Sequence, residues 1–114
     1  MPRILVVDDE PLIAMMLADW VLELGHELVG PAGSEAIARQ LLETGSPDAA
    51  ILDVSLAGGN SFALARTCRE RGLPFAFATG HGKGDLPADF ADAEVLAKPF
   101  RFDNIKQLLA KLLS

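Results

Sequence analysis

Five side chains stand where apolar runs stop. Asp8 and Asp9 follow Ile4-Leu5-Val6-Val7, and Asp53 follows Ala49-Ala50-Ile51-Leu52. Thr79 closes Phe75-Ala76-Phe77-Ala78, and Lys98 follows Val95-Leu96-Ala97. Apolar runs of this length read as buried strands. In open parallel α/β sheets, ligands bind beyond the carboxyl ends of the strands. Three carboxylates in one partly buried pocket cannot all stay ionised without a cation. Oxygen donors, with no histidine or cysteine at these strand ends, select a hard ion such as Mg²⁺, with Mn²⁺ as a substitute. Mg²⁺ keeps several waters and completes its shell with phosphate oxygens. Lys98 adds a charge for an anion and Thr79 a hydroxyl donor. The set suits an incoming phosphoryl group with a carboxylate as acceptor, since aspartyl phosphate is an established intermediate. Phosphoryl transfer is mostly positioning and charge stabilisation.

Each residue taken alone has a plainer reading. Asp8 and Asp9 could cap the helix that starts near Pro11. Asp53 could be a loop carboxylate, Thr79 a strand-end residue and Lys98 a solvated lysine. The conjunction at four strand ends is what argues for chemistry.

The elements that position these groups follow in order. After Glu10, Pro11 suits a first helical turn. Ile13, Met16, Leu17, Trp20, Val21 and Leu24 make an apolar stripe that stops at Gly25. Leu28-Val29 lies in a short strand between Glu27 and Gly30. Ser34 is a helix cap, with Ala36, Ile37, Leu41 and Leu42 as the next stripe, ending near Gly45. A loop with Gly58 and Gly59 follows Asp53. A helix from Asn60 or Ser61 carries Phe62, Leu64, Ala65 and Cys68 and stops at Gly72. Gly80, Gly82, Gly84 and Pro87 leave room for only a short helix within Pro87 to Ala91, in a stretch expected to be mobile. The last helix, capped by Asp103 or a neighbour, buries Ile105, Leu108, Leu109 and Leu112.

Five strands alternating with five helical segments predict an α/β protein with a parallel sheet covered on both faces. The flavodoxin-like order 2-1-3-4-5, known from such doubly wound sheets, sets strands one and three side by side at the switch point. Asp8, Asp9 and Asp53 then share one edge, with Thr79 on the next strand and Lys98 one strand further.

The chain has 114 residues, half of them apolar, and a net charge of −6. Its length suits one domain over residues 1–114 with a core of its own. The negative charge argues against nucleic acid and anionic membranes as partners. There is no signal-peptide pattern and no apolar run long enough for a membrane span. The single cysteine, Cys68, fits a reducing compartment and core packing better than redox sensing. A cytoplasmic location is expected.

Asp8-Asp9, Leu52-Asp53-Val54, Thr79-Gly80 and Lys98-Pro99-Phe100, taken in order, resemble the signature of receiver domains of bacterial two-component response regulators. The resemblance covers the chain from first strand to last helix and implies the three-layer CheY-like fold. It implies Asp53 as phosphoacceptor, Asp9 as a direct Mg²⁺ ligand and Asp8 as a ligand largely through water. The carbonyl of Ser55 would be a further metal ligand, and Thr79 and Lys98 would bind the phosphoryl oxygens. A cis Lys98–Pro99 bond is also implied.

Phe77-Ala78-Thr79-Gly80-His81-Gly82 further resembles the motif of the single-domain FATGUY subgroup. That subgroup is typically alphaproteobacterial and often associated with HWE-type histidine kinases. Three positions depart from the usual receiver: Val95 replaces an aromatic residue that couples phosphorylation to output, Ala57 a proline and Ser61 a glycine. Phosphorylation is therefore expected to order Gly80 to Phe90 as Thr79 is drawn to the phosphate. His81 could gate water at the phosphoaspartate or be a plain loop histidine. His26 reads as a solvated turn residue, and Phe100 and Phe102 as an output face or a core plug.

The expected function is a stand-alone phosphoacceptor fed by a histidine kinase or phosphotransfer protein. It would catalyse only its own phosphorylation and dephosphorylation, and would act on an unidentified protein target or drain phosphate from a relay. Two rivals remain. One is an interaction module independent of phosphorylation. The other is a small Mg²⁺-dependent aspartyl phosphatase, which would want an Asp-x-Asp pattern where this chain has Asp8-Asp9.

Overall fold

The computed structural model describes residues 1–56, 58–80 and 86–114. The readings placed on His81, on Ala57 and on residues 81–85 of the Gly80 to Phe90 segment lie outside the described residues.

Five parallel strands form the sheet: β1 (Arg3–Val7), β2 (Glu27–Ala32), β3 (Ala49–Asp53), β6 (Phe75–Thr79) and β7 (Glu94–Ala97). Their order is β2-β1-β3-β6-β7, the doubly wound, CheY-like order expected. Two short strands fall in the stretch read as a loop. β4 (Ser55–Leu56) and β5 (Gly59–Asn60) pair antiparallel, with Ser55 opposite Asn60 and Leu56 opposite Gly59. Four helices, α1 (Pro11–Glu23), α2 (Glu35–Gly45), α3 (Phe62–Glu70) and α4 (Phe102–Leu112), cover the sheet. Among the described residues, the remaining helical segment is a single 3₁₀ turn, Ala88–Phe90, inside the range expected for it.

The strands read as continuous apolar runs because both faces are covered. Leu5, Val7, Ala50, Leu52 and Phe77 pack in one layer with Ala38 and Leu42 of α2 and Leu64, Ala65 and Cys68 of α3. Ile4, Val6, Ile51, Ala76 and Ala78 pack in the other with Leu17 and Val21 of α1 and the Ile105 to Leu112 face of α4. Each fully buried aliphatic side chain contributes about 1.5–3 kcal/mol. Trp20 meets Phe100 and Phe102 edge-on, at 6.3 and 6.0 Å between centroids, and Phe100 is part of this second layer.

Helix phases differ in places from the sequence reading. Ser34 caps α2 as expected, its Oγ accepting from the Ile37 N–H at 3.2 Å. Ile37, however, is 48% exposed, Ala36 is exposed as well, and Ala38 takes the inward position with Leu42 and Gly45. The cause is a close approach: a Cβ on Gly45 would sit 2.6 Å from Cγ1 of Val29, so α2 turns its glycine to the sheet. On α1 the expected stripe faces inward, while Leu12, Met15 and Leu22 are exposed. The N-cap position of α4 is held by Arg101, a neighbour of Asp103, with no capping hydrogen bond from its side chain. The Arg101 N–H donates to Oδ1 of Asn104 at 2.8 Å, and Asp103 sits in the first turn.

The connection from β6 to β7 is fastened to α3. Phe90 is fully buried among Phe62, Phe75 and Phe77. The guanidiniums of Arg66 and Arg69 lie 5.2 and 4.7 Å from its ring centroid. Arg66 also holds both carboxylate oxygens of Asp89, at 2.9 and 3.2 Å.

Candidate phosphoryl-acceptor site

Register places the functional groups. Val7 pairs with Leu52, so Asp8 and Asp53 leave the sheet side by side. Thr79 pairs with Ala97, and the Lys98 N–H donates to the Thr79 carbonyl at 2.9 Å, which sets Lys98 just beyond. The Lys98–Pro99 bond is cis, as the resemblance implied, and Gly30–Pro31 is cis as well.

Asp8, Asp53 and Thr79 are buried polar residues at one sheet edge. Lys98 Nζ lies 3.4 Å from Asp53 Oδ1, 3.6 Å from Asp8 Oδ2 and 3.9 Å from Glu10 Oε1. Asp8, Glu10 and Asp53 each bring one carboxylate oxygen within 4.8 Å of the others. Glu10 and Asp53 face a cavity of about 400 Å³ whose wall also includes Asp9, Ser55, Thr79 and Lys98. Asp9 is exposed on that wall and stands outside the three-carboxylate cluster.

The electrostatics follow from burial. Desolvation, then the charge of Asp8, pushes Asp53 up to about 6, with Lys98 and a hydrogen bond from the Ser55 backbone opposing. For Lys98, burial disfavours the ammonium, but the charges of Asp8, Asp53 and Glu10 and the hydrogen bond to Asp53 outweigh it. Its pKa is held above the ordinary lysine value. Asp53 is thus mostly ionised at neutral pH, and Lys98 fully so.

The residues fit a hard divalent cation. Every donor is an oxygen, one ammonium faces three carboxylates, and Oδ2 of Asp8 is buried with no hydrogen-bond partner. A buried carboxylate oxygen left in that state favours a cation beside it.

Asp8, Asp53, Thr79 and Lys98 are all brought together as the sequence predicts, and Asp9 and Ser55 line the same cavity. Glu10 was not assigned a role from sequence, because an acid just before a helix-starting proline reads as part of the helix terminus. Cys68 is fully buried, and burial pushes its thiol up to about 11, which suits packing. His26 is half-buried rather than solvated, with Nδ1 lacking a hydrogen-bond partner. Ser61, in the position of the usual glycine, is buried with its hydroxyl unpartnered. No helix among the described residues is long and apolar enough to cross a membrane.

Comparison with known proteins agrees with this geometry. The solution structure of SdrG from Sphingomonas melonis Fr1 superposes with a TM-score of 0.86 at 44% identity, covering 100% of this chain and 98% of that one. The response regulator TrrA from Thermotoga maritima, in complex with Mg²⁺ and BeF, gives a TM-score of 0.86 at 31% identity, covering 99% of this chain and 100% of that one. The transcriptional regulatory protein PdtaR of Mycobacterium tuberculosis is 34% identical over 107 residues. That alignment covers 90% of this chain but 52% of PdtaR, so the chain spans about half the length of that relative. The family model described as the response regulator receiver domain matches residues 4–110. A match that runs from β1 into α4 fixes the family: this chain belongs to the receiver domains of two-component response regulators.

Proposed function

We propose that the chain accepts a phosphoryl group from a phosphohistidine onto Asp53, and loses it slowly to water. The observation that carries the reading is the Asp53 carboxylate, buried at the switch point with the Lys98 ammonium 3.4 Å away. An ionised carboxylate is the nucleophile such a transfer needs. Its oxygen forms the bond to phosphorus as the P–N bond breaks, and the donor histidine, protonated on its other ring nitrogen, leaves as a neutral imidazole. Lys98 would neutralise charge on the phosphoryl oxygens, and the Thr79 hydroxyl would donate to one of them. Hydrolysis then releases inorganic phosphate and restores Asp53.

Mg²⁺ fits as the cofactor, held by Asp53, Asp9 and the Ser55 carbonyl, with Asp8 acting largely through water. When bound, it would neutralise the charge that gathers on the transferred group. The Mg²⁺ and BeF bound by TrrA, which shares the fold, support this choice.

The phosphodonor is a histidine kinase or a phosphotransfer protein, and the output is protein contact or phosphate draining, in the cytoplasm. The Phe77-Ala78-Thr79-Gly80 run and the likeness to SdrG favour the FATGUY subgroup, and with it an HWE-type kinase. We read residues 1–114 as one receiver domain. Val95 stands half-buried where an aromatic switch residue is usual, so ordering of the Gly80 to Phe90 segment ahead of its Phe90 anchor is the proposed signal.

The test is intact mass after incubation with acetyl phosphate and Mg²⁺, on wild type and Asp53→Ala. The expected result is one added phosphoryl group, lost in the variant and without Mg²⁺. An adduct that persists in Asp53→Ala would sink the assignment. So would the absence of any response in wild type to acetyl phosphate and to beryllium fluoride alike.

A further inference from the structure

Glu10 occupies the N-cap position of α1, yet its side chain makes no capping hydrogen bond. The turn into α1 is built without it. The Glu10 N–H donates to Oδ1 of Asp8 at 2.9 Å, and Pro11, at the first helical position, has no N–H to satisfy. The Glu10 carboxylate is therefore free of local duty. It turns into the cavity, 3.9 Å from Lys98 Nζ and in the cluster with Asp8 and Asp53.

A second observation points the same way. Oδ2 of Asp8 is buried without a hydrogen-bond partner, and it faces the same ammonium. One positive charge is shared among three carboxylates, so the pocket holds more negative charge than Lys98 can balance. Electrostatic attraction at this range, close to a low-dielectric wall, strengthens binding of a divalent ion.

We propose that Glu10 is a further cation-binding residue: its carboxylate joins Asp8 and Asp53 in attracting and retaining the divalent cation. It does so through the ion's water shell, since Mg²⁺ typically keeps several waters. The inference rests on the phosphoacceptor reading of this site. It assigns to Glu10 a role that the sequence pattern of strand-end residues leaves out.

The experiment is a Mg²⁺ titration of wild type, Glu10→Gln and Asp19→Asn. It is followed by amide NMR shifts of Asp53 and Val54, with no phosphodonor present. Glu10 and Asp19 are both exposed, so both variants are expected to fold, and a thermal melt checks this. Asp19 lies on the outer side of α1 and controls for net charge alone. Glu10→Gln is expected to weaken Mg²⁺ binding about tenfold, the scale seen when an outer-shell metal partner is removed, with Asp19→Asn unchanged. Equal affinity in wild type and Glu10→Gln overturns the inference and leaves the phosphoacceptor reading standing. An equal loss in Asp19→Asn also overturns it, by showing a general charge effect. Wild type that binds no divalent cation overturns both the inference and the metal part of the reading.

Discussion

Lys98 reaches Asp53 from two strands away: its Nζ stops 3.4 Å from Asp53 Oδ1 although β6 lies between their strands. The lysine follows the last residue of β7, so the side chain spans the end of β6 above Thr79. One ammonium thus ties the ends of β1, β3 and β7 into one electrostatic unit.

Replacing that ammonium should therefore show in two ways. Lys98→Ala is expected to slow phosphorylation by acetyl phosphate by about 10²-fold, the scale seen when one preorganised charge-stabilising donor is removed. It should also raise the Asp53 pKa above its present value of about 6, because burial and Asp8 would then act unopposed by Lys98. A time course of intact mass reads the first effect and carboxyl NMR the second. An unchanged rate with the fold intact would remove Lys98 from the chemistry.

The raised pKa of Asp53 gives stability a pH dependence in metal-free protein. Its ordinary value is 3.8 and its folded value about 6. Between these values the folded state holds the proton more tightly than the unfolded chain does. Stability from this group is thus full below about pH 4 and falls as pH rises through about 6. Asp53→Asn cannot ionise, so with chelator present it should be more stable than wild type at pH 8 by about 1–2 kcal/mol. The gap should close near pH 4. Urea melts at the two pH values check it, and a gap that grows toward pH 4 would contradict the sign.

Phe90 should matter more to stability than its place in a single 3₁₀ turn suggests. It is fully buried against three other phenylalanines and under two guanidiniums. Phe90→Ala is expected to cost about 3–5 kcal/mol, read as a shift in denaturant midpoint. A loss below about 1 kcal/mol would mean that the site collapses around the smaller side chain.

The sheet was legible because strands buried on both faces appear as uninterrupted apolar runs. Asp8, Asp53, Thr79 and Lys98 were legible because each ends such a run. The β4–β5 ribbon was not, since Ser55-Leu56 and Gly59-Asn60 are too short to carry any period. Ile37 was misplaced because the facing of α2 depends on how Gly45 meets Val29, a contact between different elements. Glu10 escaped notice for a similar reason. Only the turn made by Asp8 and Pro11 shows that its side chain is released toward Lys98.

The burial of Phe90 has a consequence for how this chain can change over generations. Thr79 fixes one end of the β6–β7 connection at the site, and Phe90 fixes the other against α3. In general, each doubling of a loop's length adds only about 0.6 kcal/mol of closure cost. A longer connection between the two anchors therefore costs little closure free energy, and the packing of Phe90 against α3 does not depend on it. Selection can change the length of this connection without first having to repair the fold.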